Sequence, residues 1–295
     1  MTMIKNKEIK FTYLYKNFLI PFIPLIVFIA LIFIPSTVLF SSPKHKENIF
    51  ITAHRGNSSE APENTLSAIK YAINSGVEYA EIDVQETKDG QVILLHDNNF
   101  KRVSGYDKNI WEVNYDEIKN YDVGSHFNNK FRGEKIPTLE EVIKASKGKI
   151  KLNIEIKANG HEKNLVFNAL NIIKKEDFNK YCIVTSSNYN VLKQVRKLDP
   201  SIKIGYITRV KSKGIENMDV DIYSLDGDIV NRKFIEKAHK NGRQVYVWTI
   251  NREDAMVKYI NLGVDSIITD YPNRLKLIID RKNKQTLLGN MVKEI

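Results

Sequence analysis

Beyond residue 48, short apolar runs alternate with amphipathic stretches along the chain. Apolar runs of this length are typical of buried strands, and apolar residues recurring three and four positions apart are typical of helices. The predicted strands are Ile49–His54, Tyr79–Gln85, Lys151–Lys157, Tyr181–Ser186, Lys203–Thr208, Ile222–Asp226, Gln244–Thr249 and Ser266–Asp270. The predicted helices are Asn64–Asn74, Leu139–Ser146, Glu162–Lys175, Val191–Leu198, Asn231–Lys240, Arg252–Leu262 and Arg274–Arg281.

Strands that alternate with helices predict a parallel sheet with helices outside it. Eight such strands match a closed (β/α)₈ barrel, or TIM barrel, whose usual size is about 250 residues. An open, doubly wound sheet is the alternative fold. Residues 98–137 are polar and only weakly periodic, so we expect an insertion over the barrel mouth with a short helix at Tyr115–Tyr121.

One further strand-like run, Gln91–His96, follows the second strand after a connection of only five residues. A crossover to a parallel strand needs about a dozen residues or more, so this connection must be a hairpin. The pair Asp89-Gly90 is one that tight hairpin turns favour. We therefore expect the second strand to extend beyond the barrel rim and fold back, returning His96 to the level of Asp83.

An uncharged apolar segment from Phe18 to Phe40 precedes this domain. As a helix it would be roughly 30 Å long, enough to cross the hydrocarbon core of a bilayer. A cleavable secretory signal is the alternative, but its apolar part is shorter and ends in a small-x-small site, which Val38–Ser42 lacks. A buried core helix is a third reading. More lysines precede the segment than closely follow it, which predicts a cytoplasmic N-terminus and an extracytoplasmic domain.

The chain is therefore divided into a cytoplasmic segment (1–17), a single transmembrane anchor (18–40), a tether (41–48), a barrel domain (49–283) and a C-terminal tail (284–295). The single cysteine, Cys182, excludes an intrachain disulfide, so the domain must rely on its core. The net charge of +10 favours anionic partners such as lipid head groups or phosphate polymers. The sequence has no basic stripe with interleaved aromatic residues, which disfavours nucleic acid.

Chemically informative residues lie at the carboxyl ends of the predicted strands, where barrel enzymes place their active sites. Glu81 and Asp83 share one face of their strand because side chains alternate, and Glu155 lies on the next barrel strand. Three carboxylates facing into one barrel would repel one another and would be costly to desolvate. A hard divalent cation, Mg²⁺ or Ca²⁺, would relieve this repulsion because it prefers oxygen ligands. Separate local salt bridges are the alternative.

Two basic residues and two histidines accompany these acids. With the cation, Arg55 and Lys157 would form a pocket for an anion, since arginine grips a phosphate with two parallel hydrogen bonds and lysine supplies a point charge. His54 and His96 would lie on either side of this pocket. Imidazole titrates near neutral pH, so the pair could serve as general base and general acid.

The ordered motifs of this chain resemble those of the glycerophosphodiester phosphodiesterase family from about Ile51 to Pro272. The motifs are His54-Arg55-Gly56, Pro62-Glu63-Asn64-Thr65, Glu81-Ile82-Asp83-Val84, His96-Asp97, Ile136-Pro137-Thr138-Leu139-Glu140-Glu141, Asn153-Ile154-Glu155-Ile156-Lys157, Trp248-Thr249 and Thr269-Asp270-Tyr271-Pro272. The resemblance implies a TIM barrel and metal-dependent hydrolysis of a glycerophosphodiester to glycerol 3-phosphate and an alcohol.

The resemblance also implies roles for individual residues. It places metal ligands at Glu81, Asp83 and Glu155, the acid–base pair at His54 and His96, and phosphate contacts at Arg55 and Lys157. Glu63 and Asn64 would support the first loop, and Asp270 would brace the end of the last strand. Trp248 would pack against the glycerol of the substrate or the pocket wall. The first histidine would deprotonate the neighbouring glycerol hydroxyl or a water, and the second would protonate the departing alcohol.

Two other functions remain open. A phospholipase of related design, D-like or C-like, would act on lysophospholipid or phosphatidylinositol, because a short tether holds the barrel mouth near lipid. No extra hydrophobic lid is evident, which favours small or polymeric glycerophosphodiesters. An inactive membrane-bound binding module would be expected to lack a ligand or an acid–base residue, yet all seven positions are filled. The bilayer is the other expected partner, through the N-terminal helix.

Overall fold

The computed structural model describes residues 49–211 and 214–293. The predicted N-terminal segment (1–17), anchor (18–40) and tether (41–48) lie outside the described residues. Within the described ranges, no helix combines the length and the apolar character needed to cross a membrane.

Eight parallel strands within the described residues close into a barrel, and a ninth strand pairs antiparallel with the second. The strands are β1 (Phe50–Ala53), β2 (Tyr79–Glu86), β3 (Val92–Leu94), β4 (Lys151–Ile156), β5 (Cys182–Ser186), β6 (Lys203–Thr208), β7 (Ile222–Asp226), β8 (Gln244–Trp248) and β9 (Ser266–Thr269). Neighbouring strands follow the order β1-β9-β8-β7-β6-β5-β4-β2, and pairing of β1 with β2 closes the ring. The predicted TIM barrel is confirmed, and the open sheet is wrong.

Helices surround this barrel at the predicted places, and the insertion contains one further short helix, Lys101–Ser104, that was not predicted. The helices in the described residues are α1 (Leu66–Ser75), α2 (Lys101–Ser104), α3 (Tyr115–Ile118), α4 (Leu139–Ser146), α5 (Leu165–Lys175), α6 (Tyr189–Leu198), α7 (Arg232–Lys240), α8 (Glu253–Leu262) and α9 (Pro272–Lys293). Helix α1 begins two residues later than predicted because Thr65 is its N-cap, with a hydroxyl that accepts the N–H of Ala68. Asn64 has a left-handed backbone, with φ of 55°, and cannot belong to the helix.

Among the helices outside the barrel, α5 and α9 show the larger differences from the predicted boundaries. Helix α5 begins at Leu165 because the carboxylate of Glu86 accepts the backbone N–H groups of Lys163 and Asn164, which caps the helix from outside. Helix α9 runs on to Lys293, whereas the apolar periodicity used for the prediction ends near Arg281. The backbone thus stays helical through part of the predicted tail.

The hydrophobic core lies on both sides of the barrel wall. Outward-facing strand residues such as Ile82 and Ile154 are fully buried beneath the helices. A separate buried cluster occupies the inward positions, with the members Tyr79, Ile183, Ile222, Tyr246 and Ile268. Because side chains alternate along a strand, the next inward positions of β2 after this layer are Glu81 and Asp83. The apolar layer therefore forms the floor beneath a polar mouth.

The antiparallel pair β2–β3 is the predicted hairpin arm. Gly90 at its turn has φ of 86°, a conformation that side chains rarely allow. The N–H of Leu95 donates to the carbonyl oxygen of Asp83 at 3.1 Å. Leu95 is therefore level with Asp83, and His96 lies one residue beyond the position that the hairpin prediction gave it.

The insertion of residues 98–137 has a small hydrophobic core of its own. Its buried members, together with two from the hairpin arm, are Ile93, Leu95, Phe100, Val103, Ile110, Val113, Ile118, Val123 and Ile136. The helix predicted at Tyr115–Tyr121 is present but ends at Ile118. The insertion thus packs on the arm that carries His96 and holds it from the outer side.

Candidate active site

The turn after β1 brings the first strand end over the second strand. Arg55 and Gly56 both have positive φ, 53° and 81°, and a Cβ on Gly56 would collide with Ala68 of α1. This tight turn directs the backbone N–H of Arg55 to the carboxylate of Glu81, at 2.8 Å. The motif His54-Arg55-Gly56 therefore has a structural reason: only glycine fits the close approach to α1.

A cluster of three carboxylates lies at the barrel mouth. Asp83 is paired in register with Glu155 of the neighbouring strand, and Glu81 lies on the same inward face. One oxygen from each of the three residues lies within 4.8 Å of the others. Asn64 fixes Asp83 from behind, since its Nδ2 donates to Oδ2 at 2.8 Å and its Oδ1 accepts the backbone N–H at 3.0 Å.

The charges of this cluster are poorly compensated by the protein alone. Burial and the nearby charge of Asp83 raise the pKa of Glu81 to about 8 and that of Glu155 to about 7. Burial would raise the pKa of Asp83 as well, but Lys157 and Arg55 hold it below its ordinary value. A donor set made only of carboxylate oxygens, two of them reluctant to ionise without a counter-charge, fits a hard divalent cation.

Arg55 and Lys157 lie directly against these acids. The Nε of Arg55 is 3.4 Å from Asp83 Oδ2, and Lys157 Nζ is 3.6 Å from Asp83 Oδ1 and 3.5 Å from Glu155 Oε1. The buried Nε of Arg55 makes no hydrogen bond within the described residues. Its Nη1 donates to Glu63 at 2.9 Å, which fixes the plane of the guanidinium. Both cations thus have donors available for an anion beside the carboxylates.

His54 is held by a carboxylate from the other end of the chain. Its Nδ1 is 2.7 Å from Asp270 Oδ1, and Asp270 also accepts hydrogen bonds from Ser58 Oγ at 2.9 Å and Asn251 Nδ2 at 2.6 Å. Burial raises the pKa of Asp270, but the hydrogen bonds outweigh this and lower it to about 2. Burial lowers the pKa of His54, but its bond to Asp270 and the charge of Glu81 raise it above the ordinary value.

His96 has an equivalent partner that is itself anchored by the insertion. Its Nδ1 is 2.7 Å from Asp97 Oδ1, and Asp97 Oδ2 accepts from Arg102 Nε at 2.6 Å. Arg102, on α2, also donates to both oxygens of Glu63 at 2.8 and 2.7 Å. Burial lowers the pKa of His96, and the charge of Asp83 offsets this only in part. A chain of ion pairs thus runs from His96 through Asp97 and Arg102 to Glu63. Glu63 in turn accepts a hydrogen bond from Arg55 in the first loop.

These groups line one cavity of about 480 Å³, a size suited to a small substrate. The predicted residues it brings together are His54, Arg55, Glu81, Asp83, His96, Glu155, Lys157 and Trp248. Glu63, Asn64 and Asp270 do not line it and instead hold its members from behind. Trp248, at the end of β8, forms the part of the cavity wall that lies across the barrel from Glu155. Its indole N–H is buried with no hydrogen-bond partner among the described residues.

Sequence reasoning gave no role to several residues that the structure brings to this site, among them four polar groups that contact its main members or line its wall. Asp97 could have been found, since it directly follows a histidine in the sequence. Arg102 lies in the weakly periodic insertion and Asn251 in a loop, and Arg209 follows β6 at the cavity wall. Nothing in their spacing identifies these three, because each has a partner far away in the chain: Glu63 for Arg102, Asp270 for Asn251 and Trp248 for Arg209.

Comparison with known proteins supports one family. The family model described as the glycerophosphoryl diester phosphodiesterase family matches residues 54–274. A glycerophosphodiester phosphodiesterase of Caldanaerobacter subterraneus subsp. tengcongensis is 36% identical over 235 residues, which cover 76% of this chain and 95% of that protein. A lysophospholipase D of Homo sapiens is 26% identical over 266 residues, covering 76% and 84% respectively.

A solved structure extends this similarity to the fold. The phosphodiesterase of Oleispira antarctica, in complex with the product sn-glycerol-3-phosphate, is 29% identical, covers 78% of this chain and 96% of its own, and superimposes with a TM-score of 0.74. The similarity of the whole fold and the sequence matches point to the same family. The chain therefore belongs to the glycerophosphoryl diester phosphodiesterase family and is an enzyme of that phosphoric diester hydrolase class.

Proposed function

We propose that the protein hydrolyses glycerophosphodiesters to glycerol 3-phosphate and an alcohol, using a divalent cation and the pair His54 and His96. The observation that carries this proposal is the single cavity in which three carboxylates, two cations and two carboxylate-held imidazoles converge. The relative from Oleispira antarctica, whose structure contains sn-glycerol-3-phosphate, supports the same product.

In this proposal Glu81, Asp83 and Glu155 hold the cation, Mg²⁺ or Ca²⁺. When bound there, a divalent cation acts as a Lewis acid that polarises a phosphoryl oxygen and compensates the negative charge of the cluster. Arg55 and Lys157 bind the non-bridging oxygens and stabilise the charge that builds on them. The fixed guanidinium plane of Arg55 orients the phosphate before reaction.

The two histidines move the protons. Since Nδ1 of each ring is engaged by Asp270 or Asp97, Nε2 is the atom left for the substrate. We assign His54 Nε2 to take a proton from the neighbouring glycerol hydroxyl or a water, so that the resulting oxyanion attacks phosphorus. His96 Nε2 gives a proton to the oxygen of the departing alcohol, and the phosphorus–oxygen bond to that alcohol breaks. Attack by water yields glycerol 3-phosphate directly. Attack by the glycerol hydroxyl yields a cyclic phosphodiester, which a water deprotonated by His96 then opens to glycerol 3-phosphate, while His54 returns its proton to the released hydroxyl.

The order of these two roles needs its own test. Taken alone, the raised pKa of His54 and the lowered pKa of His96 favour the reverse order, in which His96 is the base. Part of the rise at His54 comes from the charge of Glu81, however, which a bound cation would compensate. A substrate with a nitrophenol leaving group hardly needs a general acid, because nitrophenolate leaves unprotonated. His96→Ala should therefore lose much less activity on glycerophospho-p-nitrophenol than on glycerophosphocholine, while His54→Ala loses the same on both. The opposite pattern would exchange the two roles.

The pair itself is tested by turnover. His54→Ala and His96→Ala should each lower kcat about 10²–10⁴-fold, the usual contribution of one proton transfer. His239→Ala is the matched control, because His239 is also 2.7 Å from a carboxylate, Asp265, but does not line the cavity. Chelator should abolish activity and added Mg²⁺ or Ca²⁺ should restore it. Near-wild-type hydrolysis by either alanine variant, or full activity in chelator, would refute the proposed chemistry.

A second candidate substrate is lysophospholipid. A relative named as a lysophospholipase D matches the chain over most of its length. Product analysis with equal concentrations of glycerophosphocholine and lysophosphatidylcholine separates the two activities. We expect the water-soluble diester to be the better substrate, and a preference for lysophosphatidylcholine would favour the lipid reading.

We further propose that residues 18–40 anchor the enzyme in a membrane with the barrel on the extracytoplasmic side. The uncharged apolar segment and the lysines that precede it support this. Full-length protein should remain in the membrane fraction after carbonate washing, and added protease should reach the barrel from outside spheroplasts. Release by carbonate, or a mature mass that lacks the segment, would contradict an uncleaved anchor.

A further inference from the structure

A third cationic side chain faces the cavity from the wall opposite the first histidine. Arg209 directly follows β6, which lies four strands away from β1 around the barrel. The hydroxyl of Thr208 accepts the backbone N–H of Val210 at 3.1 Å, so the chain turns at the strand end. The guanidinium carbon of Arg209 lies 5.5 Å from the ring centre of Trp248, within the range of a cation–π contact.

Arg209 differs from the other cations of the site in having no acidic partner. Arg55 and Lys157 each contact the carboxylate cluster, and Arg102 joins Asp97 to Glu63. For Arg209, by contrast, no carboxylate comes within ion-pair distance anywhere in residues 49–211 and 214–293, although acids are numerous around the same mouth. Its charge is supported by an aromatic face, which leaves the guanidinium donors available to a ligand.

The charges of the inner site also leave Arg209 without a function in binding the scissile phosphate. Three carboxylates, two basic side chains and the protonated His96 of the proposed mechanism together carry no net charge, and a divalent cation would add two positive charges. These charges already exceed the single negative charge of a phosphodiester. The positive charge of Arg209 is therefore not needed to bind the scissile phosphate.

We propose that Arg209, supported by Trp248, binds a second negative charge on the substrate, separate from the scissile phosphodiester. This inference rests on the proposed hydrolysis of glycerophosphodiesters. The glycerol of such a diester is uncharged, so the second charge lies on the departing alcohol. The chemistry that suits a planar guanidinium is a phosphate group, which it binds through two parallel N–H donors. Arg209 is thus a specificity-determining residue for alcohols that carry a phosphate.

Such a phosphate could belong to a small phosphorylated alcohol or to the next unit of a glycerol phosphate chain. Three substrates with the same scissile bond separate these sources. Glycerophosphoglycerol has an uncharged leaving alcohol, glycerophosphoglycerol phosphate adds a phosphomonoester, and the dimeric diester glycerophosphoglycerophosphoglycerol adds a phosphodiester. Stronger dependence on Arg209 for the monoester indicates a small substrate, and equal or stronger dependence for the dimeric diester indicates a chain.

The experiment compares kcat and KM of wild type, Arg209→Ala and Arg209→Lys on these substrates. Arg209→Ala should raise KM about 10-fold for the substrates with a second phosphate, with kcat within about twofold, because the contact is remote from the reacting atoms. For glycerophosphoglycerol both constants should stay within about twofold. Arg209→Lys should restore only part of the loss, since lysine lacks the fork of donors.

Lys193→Ala provides the matched control. Lys193 lies 5.5 Å from the ring of Tyr189 on α6, so its removal deletes one positive charge from an aromatic face outside the cavity. It should leave all constants near wild type, which excludes an effect of overall charge. Raising the salt concentration should weaken the wild-type preference for the second phosphate and leave that of Arg209→Ala unchanged.

The outcomes distinguish this inference from the proposed function. An equal change for charged and uncharged alcohols, or no change for any, would overturn the role of Arg209 while leaving the hydrolysis intact. Absence of turnover on every glycerophosphodiester by wild type would overturn both. A selective rise in KM for the phosphate-bearing alcohols supports the inference.

Discussion

Replacing the carboxylate of Asp270 gives the sharpest test of how His54 is positioned. Asp270→Asn preserves the shape of the side chain but removes its charge. The carboxylate accepts hydrogen bonds from three side chains, His54, Ser58 and Asn251, at 2.6 to 2.9 Å. An asparagine replaces one accepting oxygen by an NH₂ donor, so one of these three donors must lose its acceptor.

The size of the effect follows from the bond that is weakened. A hydrogen bond to a charged group contributes about 1.5–3 kcal/mol, which corresponds to roughly 10- to 150-fold in a rate. We therefore expect kcat/KM of Asp270→Asn to decrease roughly 10- to 150-fold. This loss is smaller than that expected for His54→Ala, because the imidazole is still present. Burial lowers the pKa of His54 and Asp270 raises it, so the substitution should also move the histidine-dependent limb of the pH profile to lower pH.

The assay is kcat/KM on one glycerophosphodiester as a function of pH, together with a titration of cation binding. Asp265→Asn is a matched control, because Asp265 precedes β9 as Asp270 follows it, and it is also 2.7 Å from a histidine, His239. That variant should lose stability and keep its activity per folded molecule. Activity of Asp270→Asn within twofold of wild type, or a parallel loss of cation affinity, would refute a positioning role for Asp270.

Three further changes test other parts of the structure. Arg102→Ala should lower kcat/KM about 10-fold in steady-state assays, because its bridge between Asp97 and Glu63 is lost, and Arg102→Lys should recover little of it. Burial raises the pKa of Asp97, but the hydrogen bond from Arg102 lowers this pKa to about 2. The ionised Asp97 therefore contributes to stability in full above pH 3.8, and this contribution disappears as the pH falls through about 2. Acid unfolding followed by circular dichroism should lack this component in Asp97→Asn. Gly124→Ala should lower Tm by roughly 5 °C in calorimetry, because its Cβ would overlap a carbonyl oxygen of the insertion.

Much of the barrel could be predicted because its pattern is repetitive and local. Each strand is an apolar run followed by a helix, and eight repeats leave few alternatives to closure. The carboxylates Glu81 and Asp83 share a face for the same local reason, since strand side chains alternate. The hairpin followed from a connection too short for a crossover. In all of these, neighbours in sequence determine the answer.

Asp97 directly follows His96, but the other supports of the two histidines could not be predicted in this way. Asp270 is 216 residues from His54, and Arg102 is 39 residues from Glu63. The path of the insertion depends on apolar residues such as Phe100 and Ile136, whose irregular spacing matches neither a helix nor a strand. Which polar groups meet is then decided only after the insertion has packed on the hairpin arm.

The cluster of three carboxylates depends on the register between β2 and β4. Asp83 is paired with Glu155 on the inward face, and Ile82 is paired with Ile154 on the outward face. A slip of one residue would turn a carboxylate toward the helices and an isoleucine into the cavity. The outward positions are fully buried among apolar side chains, so an unpaired carboxylate placed there would cost several kcal/mol. The hydrophobic packing that stabilises the barrel therefore also brings the acids to the same face, and the hydrogen bonds from Asn64 to Asp83 and from Arg55 to Glu81 then orient them.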